Sequence, residues 1–159
     1  MKKGNVRVPL RIDSNVISRE IVIAEPTSEK NRYVLKSIPA YAYGIATSDL
    51  FEIVDYESGQ FSVLKRGGQI SIRIFVAGPL KPNDLADFKK SIIECDGLFE
   101  IGKKAKSSNE TSILLASLRA DLGIGKIVKF VKSLRFDNSK WEFGNVYDES
   151  GKLEAWLAK

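Results

Sequence analysis

The chain has 159 residues, 43% of them hydrophobic and 28% charged, with 25 Lys and Arg against 20 Asp and Glu for a formal net charge of +5. That balance belongs to a globular protein of one domain or two small ones, and no apolar run approaches the roughly 20 residues that span a bilayer. There is no histidine and one cysteine, Cys95, which excludes the Ser-His-Asp and Cys-His nucleophile arrangements, an internal disulfide and the ordinary zinc sites.

The chain opens Met1-Lys2-Lys3, but Gly4-Asn5-Val6-Arg7 stands where a signal peptide would place its apolar core. Residues 5–12 then alternate, with Val6, Val8, Leu10 and Ile12 on one face and Arg7 and Arg11 on the other, which predicts a strand. Pro9 inside it predicts an edge position or a bulge, because proline brings no N–H to a ladder. Residues 18–24 supply Ile21, Val22 and Ile23 as a second strand, broken by Glu25-Pro26-Thr27-Ser28. A third strand runs over 32–38 and ends at Pro39; a fourth covers 50–56. Glu57-Ser58-Gly59-Gln60 is a hairpin turn answered by a fifth strand over 61–66, and Gly67-Gly68 reads as a second tight hairpin before 69–76. Short strands with turns between them point to a small, strongly curved sheet or barrel.

After Gly78-Pro79 the rhythm changes. Leu85, Phe88, Ile92 and Cys95 recur at spacings of three, four and three, one face of a helix over 83–95 with Asn83 as its cap and Gly97 as its stop. A strand over 98–103, a polar turn over 104–109 and a buried strand over 111–118 follow. Asp121 is the expected cap of a second helix whose inner face carries Ile124, Ile127, Val128, Val131 and Leu134. Residues 139–146 close as a strand, and 152–159 form an extra turn with Trp156 and Leu157 packed down.

From Gln69 the order is strand, helix, strand, strand, helix, strand, the split βαβ pattern of a ferredoxin-like sandwich with both helices on one face of a four-stranded antiparallel sheet. The expected fold class is therefore α+β. A small curved N-terminal antiparallel β-sheet, residues 1–66, packs without a linker on a ferredoxin-like βαββαβ sandwich, residues 67–159.

The run Arg32-Tyr33-Val34-Leu35-Lys36-Ser37-Ile38-Pro39, followed by Tyr41-Ala42-Tyr43-Gly44-Ile45-Ala46 and Ser48-Asp49, resembles the bacterial domain family of unknown function DUF4265. Gly67-Gly68-Gln69-Ile70-Ser71-Ile72-Arg73 is similar to a second element of that family, and Lys140-Trp141-Glu142-Phe143 to its closing strand. The resemblance spans about residues 5–148 and departs at Ala40, where the family often has a bulky aromatic. It implies no chemistry, because the family has none assigned.

Six groups of residues are candidates for function, each beside an ordinary structural reading that we favour. Tyr41, Tyr43 and Gly44 can line a ligand groove with Asp49 as its polar anchor; otherwise Gly44 permits a bend and the tyrosines pack with wet hydroxyls. Arg66, Gly68 and Arg73 can hold an anion with guanidinium forks and backbone N–H groups; otherwise the glycines make a hairpin and Arg73 points outward in alternation with Ile70, Ile72 and Ile74. Gly123-Ile124-Gly125-Lys126 lacks the spacer and hydroxyl of a phosphate loop, and reads as the first turn of a helix. Lys126, Lys129, Lys132 and Arg135 recur at threes, and with Lys103, Lys104 and Lys106 they can track a phosphate backbone; otherwise they are a solvated face. The central candidate strand, Ile113 to Leu118, offers no aromatic on which a base could stack. Cys95 is expected in the core, and the pair Asp84 and Asp87 on a helix surface with no cleft around it.

No catalytic set emerges, and no cofactor or metal is expected. The expectation is a non-enzymatic cytoplasmic protein-binding protein, most concretely an immunity protein that neutralises a cognate bacterial toxin by occluding it. Nucleic-acid binding through the Lys-rich helix 121–135 is the first alternative and a small-molecule sensor built on Tyr41 to Asp49 the second; a membrane partner is not expected.

Overall fold

In this computed structural model, which describes residues 4–13, 16–148 and 150–157, the chain is an α+β protein with two antiparallel sheets. Met1 to Lys3, Ala158 and Lys159 lie outside the described residues. The first sheet is a meander of β1 (Val6–Asp13), β2 (Val16–Pro26), β3 (Arg32–Leu35), β4 (Leu50–Asp55) and β5 (Gln60–Lys65), each paired with the next. Period-two alternation builds it: Val8, Leu10, Val22, Ala24, Phe51 and Ile53 turn into one buried cluster, while Ile21 and Val54 face outward. β1 is an edge strand, as Pro9 requires, and Pro9 stands opposite Ile21. The meander curls back on itself, since the Arg11 N–H donates to the Gly59 carbonyl, 2.9 Å away in the turn between β4 and β5. A Cβ on Gly59 would lie 2.7 Å from the Arg11 nitrogen, and its φ is +75°, so the crossing needs glycine.

The second sheet comprises β6 (Gln69–Ala77), β7 (Leu98–Lys103), β8 (Thr111–Arg119) and β9 (Ser139–Phe143) in the order β7-β8-β6-β9. Helix α1 (Pro82–Glu94) follows β6, and α2 (Ile124–Ser133) follows β8. Phe88, Ile92, Ile127 and Val131 from the helices share one core with Ile70, Ile72, Ile74, Leu114, Ala116 and Leu118, so both helices cover the same face. On the opposite face Ile113 and Leu115 pack with Ile38, which lies in the segment after β3. Segment 36–49 is thereby held between the first sheet and the bare face of the second.

Several local expectations change. Gly67-Gly68 makes no hairpin: β5 and β6 belong to different sheets, and the glycines carry the chain from one to the other. A Cβ on Gly67 would lie 2.3 Å from the Ser48 carbonyl oxygen. Helix α1 starts at Pro82, whose fixed φ suits a first turn, with Lys81 before it and no cap from Asn83. Asp121 does not cap α2. It sits in a 3-10 turn, Ala120–Leu122, bonded to Arg119, and α2 begins after Gly123. The third strand ends at Leu35 and the last at Phe143, each about three residues short of expectation. The N–H groups of Lys36 and Ser37 both turn to the Ile23 carbonyl, at 2.9 and 3.2 Å, which ends the ladder there. Trp156 and Leu157 do pack against the sandwich core, from a 3-10 turn at Ala155–Leu157.

Candidate functional site

Segment 36–49 has no helical or strand pattern of its own, and fixed polar contacts shape it. Glu20, on β2, accepts three consecutive backbone N–H groups, those of Ala40, Tyr41 and Ala42, at 3.0, 3.0 and 2.6 Å. Glu100, on β7, accepts the Ile38 N–H, and burial pushes its carboxyl above the ordinary carboxylate value. The Gly44 N–H donates to the Gly144 carbonyl at 2.8 Å, which fastens the segment to the chain just beyond β9. Gly44 reaches this position with φ +80°.

Asp49 closes the segment. It is 1% exposed; its Oδ1 accepts the Gly67 N–H at 2.8 Å, and its Oδ2 accepts the Ala46 N–H at 3.0 Å and Arg66 Nη1 at 3.2 Å. Burial raises its carboxyl above the ordinary value, against the opposing pull of the Gly67 and Ala46 N–H groups and of Arg66. Arg66 also donates to the Gly44 carbonyl at 2.7 Å and lies over the Trp156 ring. The glycine turn and Arg66 therefore do hold an anion, and it is the chain's own Asp49. Arg73 takes no part in it.

Arg73 is the largest fully buried side chain among the described residues. Alternation sends it away from Ile72 and Ile74, but segment 36–49 covers that face, so it does not reach solvent. Its Nη1 donates to the Tyr41 carbonyl at 3.1 Å and its Nη2 to the Ala42 carbonyl. Its charge meets Glu142, opposite it on β9 at 3.4 Å, and the face of the Tyr43 ring, 4.6 Å from the guanidinium carbon. The Tyr43 hydroxyl donates to both Glu142 oxygens, at 2.9 and 2.8 Å. Burial first, then the Glu142 bond and charge, raise the Tyr43 hydroxyl above its ordinary value.

The structure thus brings Tyr41, Tyr43, Asp49, Arg66 and Arg73 to one segment, though not as a ligand groove. Asp49 faces inward onto its three donors, while Tyr41 and Tyr43 stay 43% and 52% exposed. The result is a two-tyrosine ridge on a backbone braced from both sides. Glu20, Glu100 and Glu142 complete it. No periodicity marks them, because each acts on a distant stretch of backbone or side chain.

Lys126, Lys129 and Lys132 lie exposed on α2, over the opposite face of the sheet from Arg73, and none forms an ion pair among the described residues. Gly123 to Lys126 forms the start of α2, and β8 is buried from Ser112 to Leu118, so no base can stack on it. Cys95 is half-buried against the sandwich core. Asp84 and Asp87 do border a cleft, contrary to expectation: a cavity of about 300 Å³ with Ser91, Arg135 and Phe136 on its other walls. A second, of about 250 Å³, lies between α2 and β9. Among the described residues no three acidic or cysteine side chains converge as a metal site, and no helix is long and apolar enough to cross a membrane.

The family described as a domain of unknown function, DUF4265, matches residues 20–116, which run from the carboxylate that cradles segment 36–49 to the middle of β8. No curated protein matches the chain. A solved structure described as a hypothetical protein from Neisseria gonorrhoeae is similar in fold, with a TM-score of 0.55 over 91% of this chain and 95% of that one, at 18% identity.

Proposed function

On the premise that the chain belongs to the DUF4265 family, a domain family of unknown function, we propose that it acts by binding another protein and carries out no catalysis. The observation that carries this reading is the Tyr41–Tyr43 ridge. Tyrosine presents a large amphipathic surface at little cost in side-chain freedom, and binding energy concentrates on such anchors. Here the backbone beneath them is already fixed by Glu20, Arg73 and the Gly44–Gly144 bond, so little ordering is left for the moment of binding. The buried charged groups Asp49 and Arg73 face internal partners rather than solvent.

The most concrete form is a cytoplasmic immunity protein that occludes a cognate bacterial toxin; the lone cysteine, which allows no disulfide, suits that compartment. The strand order β7-β8-β6-β9, with a helix after β6 and another after β8, supports reading the second unit as ferredoxin-like. The test is co-purification with the product of the adjacent gene. Replacing Tyr41 and Tyr43 by alanine should weaken that complex by about 30-fold with the fold intact. Retention of no neighbouring product would sink the proposal.

Nucleic-acid binding is the second reading, favoured by one observation: Lys126, Lys129 and Lys132 are exposed and unpaired among the described residues. It predicts retention on RNA or DNA that falls steeply with salt and is lost on reversing those three charges. Absent or salt-independent retention disposes of it.

A further inference from the structure

The outer edge of β9 has no partner strand among the described residues. Two backbone bonds fix which of its groups face outward. Gly144 donates to Ser71, opposite it in the extended register, and Ala77 donates to Asn138 in the same register. Hydrogen-bonded pairs therefore alternate through 138, 140, 142 and 144, and those residues turn their backbone toward β6. Ser139, Trp141 and Phe143 turn theirs away. No described residue bonds the outward N–H or carbonyl of Trp141.

The surroundings of that edge are specific. On the helix side, directly beside Trp141, the cavity of about 250 Å³ has Ile74, Val131, Leu134 and Phe136 in its walls and the ammonium-bearing side chain of Lys132 at its rim. On the other side Lys140 is exposed, and the Glu142 carboxylate is occupied by Arg73 and the Tyr43 hydroxyl. Neither Lys132 nor Lys140 has an ion partner among the described residues. A strand laid along β9 would point alternate side chains to these two sides.

We propose that the β9 edge takes an extended acidic segment of a partner protein by strand addition. The partner's backbone pairs with Trp141, one apolar side chain enters the cavity beside Trp141, and acidic side chains meet Lys140 and Lys132. The inference rests on the protein-binding reading and names the chemistry of the partner. It places that partner beside the tyrosine ridge, because Tyr43 bonds the side chain of Glu142 on this same strand.

The test uses the full chain and a short synthetic peptide of glutamates around one central valine, which presents carboxylates to both sides of the edge, followed by the amide resonances of the protein. The expected result is saturable shifts centred on Ser139 to Phe143, with affinity about tenfold lower in the Lys132→Glu, Lys140→Glu variant. The same peptide N-methylated on the amides that would face β9 should not bind. Equal binding of a valine–lysine peptide, equal binding of the methylated peptide, shifts centred elsewhere, or no binding at millimolar peptide would each overturn the proposal. A chain that still retains its neighbour's product yet ignores the peptide loses the edge and keeps the broader reading. A chain that binds the peptide but no neighbouring product keeps the edge and loses the toxin.

Discussion

Arg73 and Glu142 face each other across the β6–β9 ladder, guanidinium to carboxylate at 3.4 Å, with the arginine side chain 1% exposed and the glutamate 34%. Two nitrogens of that arginine bond the Tyr41 and Ala42 carbonyls, so it braces segment 36–49 first and pairs with the carboxylate second. Arg73→Met is expected to cost about 3 kcal/mol, since it strands two covered carbonyls and a carboxylate. Glu142→Gln should cost about 1 kcal/mol or less, because that partner is partly in water. Urea unfolding measures both, and equal losses would contradict this ranking.

Asp49 gives an unusual pH dependence. Burial holds its carboxyl in the folded chain above the ordinary value of 3.8, so its contribution is complete below that value and is lost as pH rises through the folded value. Asp49→Asn puts an amide donor against an N–H or the Arg66 guanidinium and should cost about 1–3 kcal/mol. Because asparagine does not titrate, that penalty is expected to be larger in mild acid than at neutral pH. Matched denaturation of the two proteins at both pH values checks it, and a penalty that grows toward neutrality would be the wrong sign.

Two glycines should respond in opposite directions to alanine. At Gly67 the new methyl would lie 2.3 Å from the Ser48 carbonyl oxygen, a backbone atom, so a loss of about 3 kcal/mol or failure to fold is expected. At Gly125, on α2, nothing lies within 4 Å. Gly125→Ala should stabilise by about 0.5 kcal/mol, chiefly by restricting the unfolded chain. Thermal midpoints of the two variants on either side of the parent confirm the pattern.

The Tyr33 and Tyr56 hydroxyls approach to 2.5 Å. Burial and then the Tyr33 bond push Tyr56 up to about 12. Phenolate absorbance should therefore show a late-titrating tyrosine whose midpoint falls in Tyr33→Phe. An unchanged late midpoint would remove the bond as a cause.

Periodicity located the strands and helices because each buries one face. The inward Val8, Leu10, Val22 and Ile53, and the helix stripe of Phe88 and Ile92, are written in spacing alone. What spacing could not carry was which sheet a strand joins, so Gly67-Gly68 read as a hairpin when it is a passage between sheets. It also could not see that an irregular segment would lie over Arg73, since burial by a loop leaves no period. Asn83 and Asp121 have the chemistry of caps, but Pro82 and a 3-10 turn preempted them. The tyrosines of the ridge were visible as unusual residues. Glu20, Glu100 and Glu142, which with Arg73 position them, were not.

The bonds that finish segment 36–49 come late in the chain. Tyr43 and Glu142 are 99 residues apart, and Gly44 meets Gly144 just beyond them. During synthesis the first sheet emerges and pairs strand by strand with its neighbours, all of them local. The ridge cannot assume its final shape until β9 has left the ribosome and docked beside β6. A chain truncated before Ser139 would carry both tyrosines and every strand of the first sheet, yet would display an unset ridge, because Glu142 and Gly144 would be missing from beneath it.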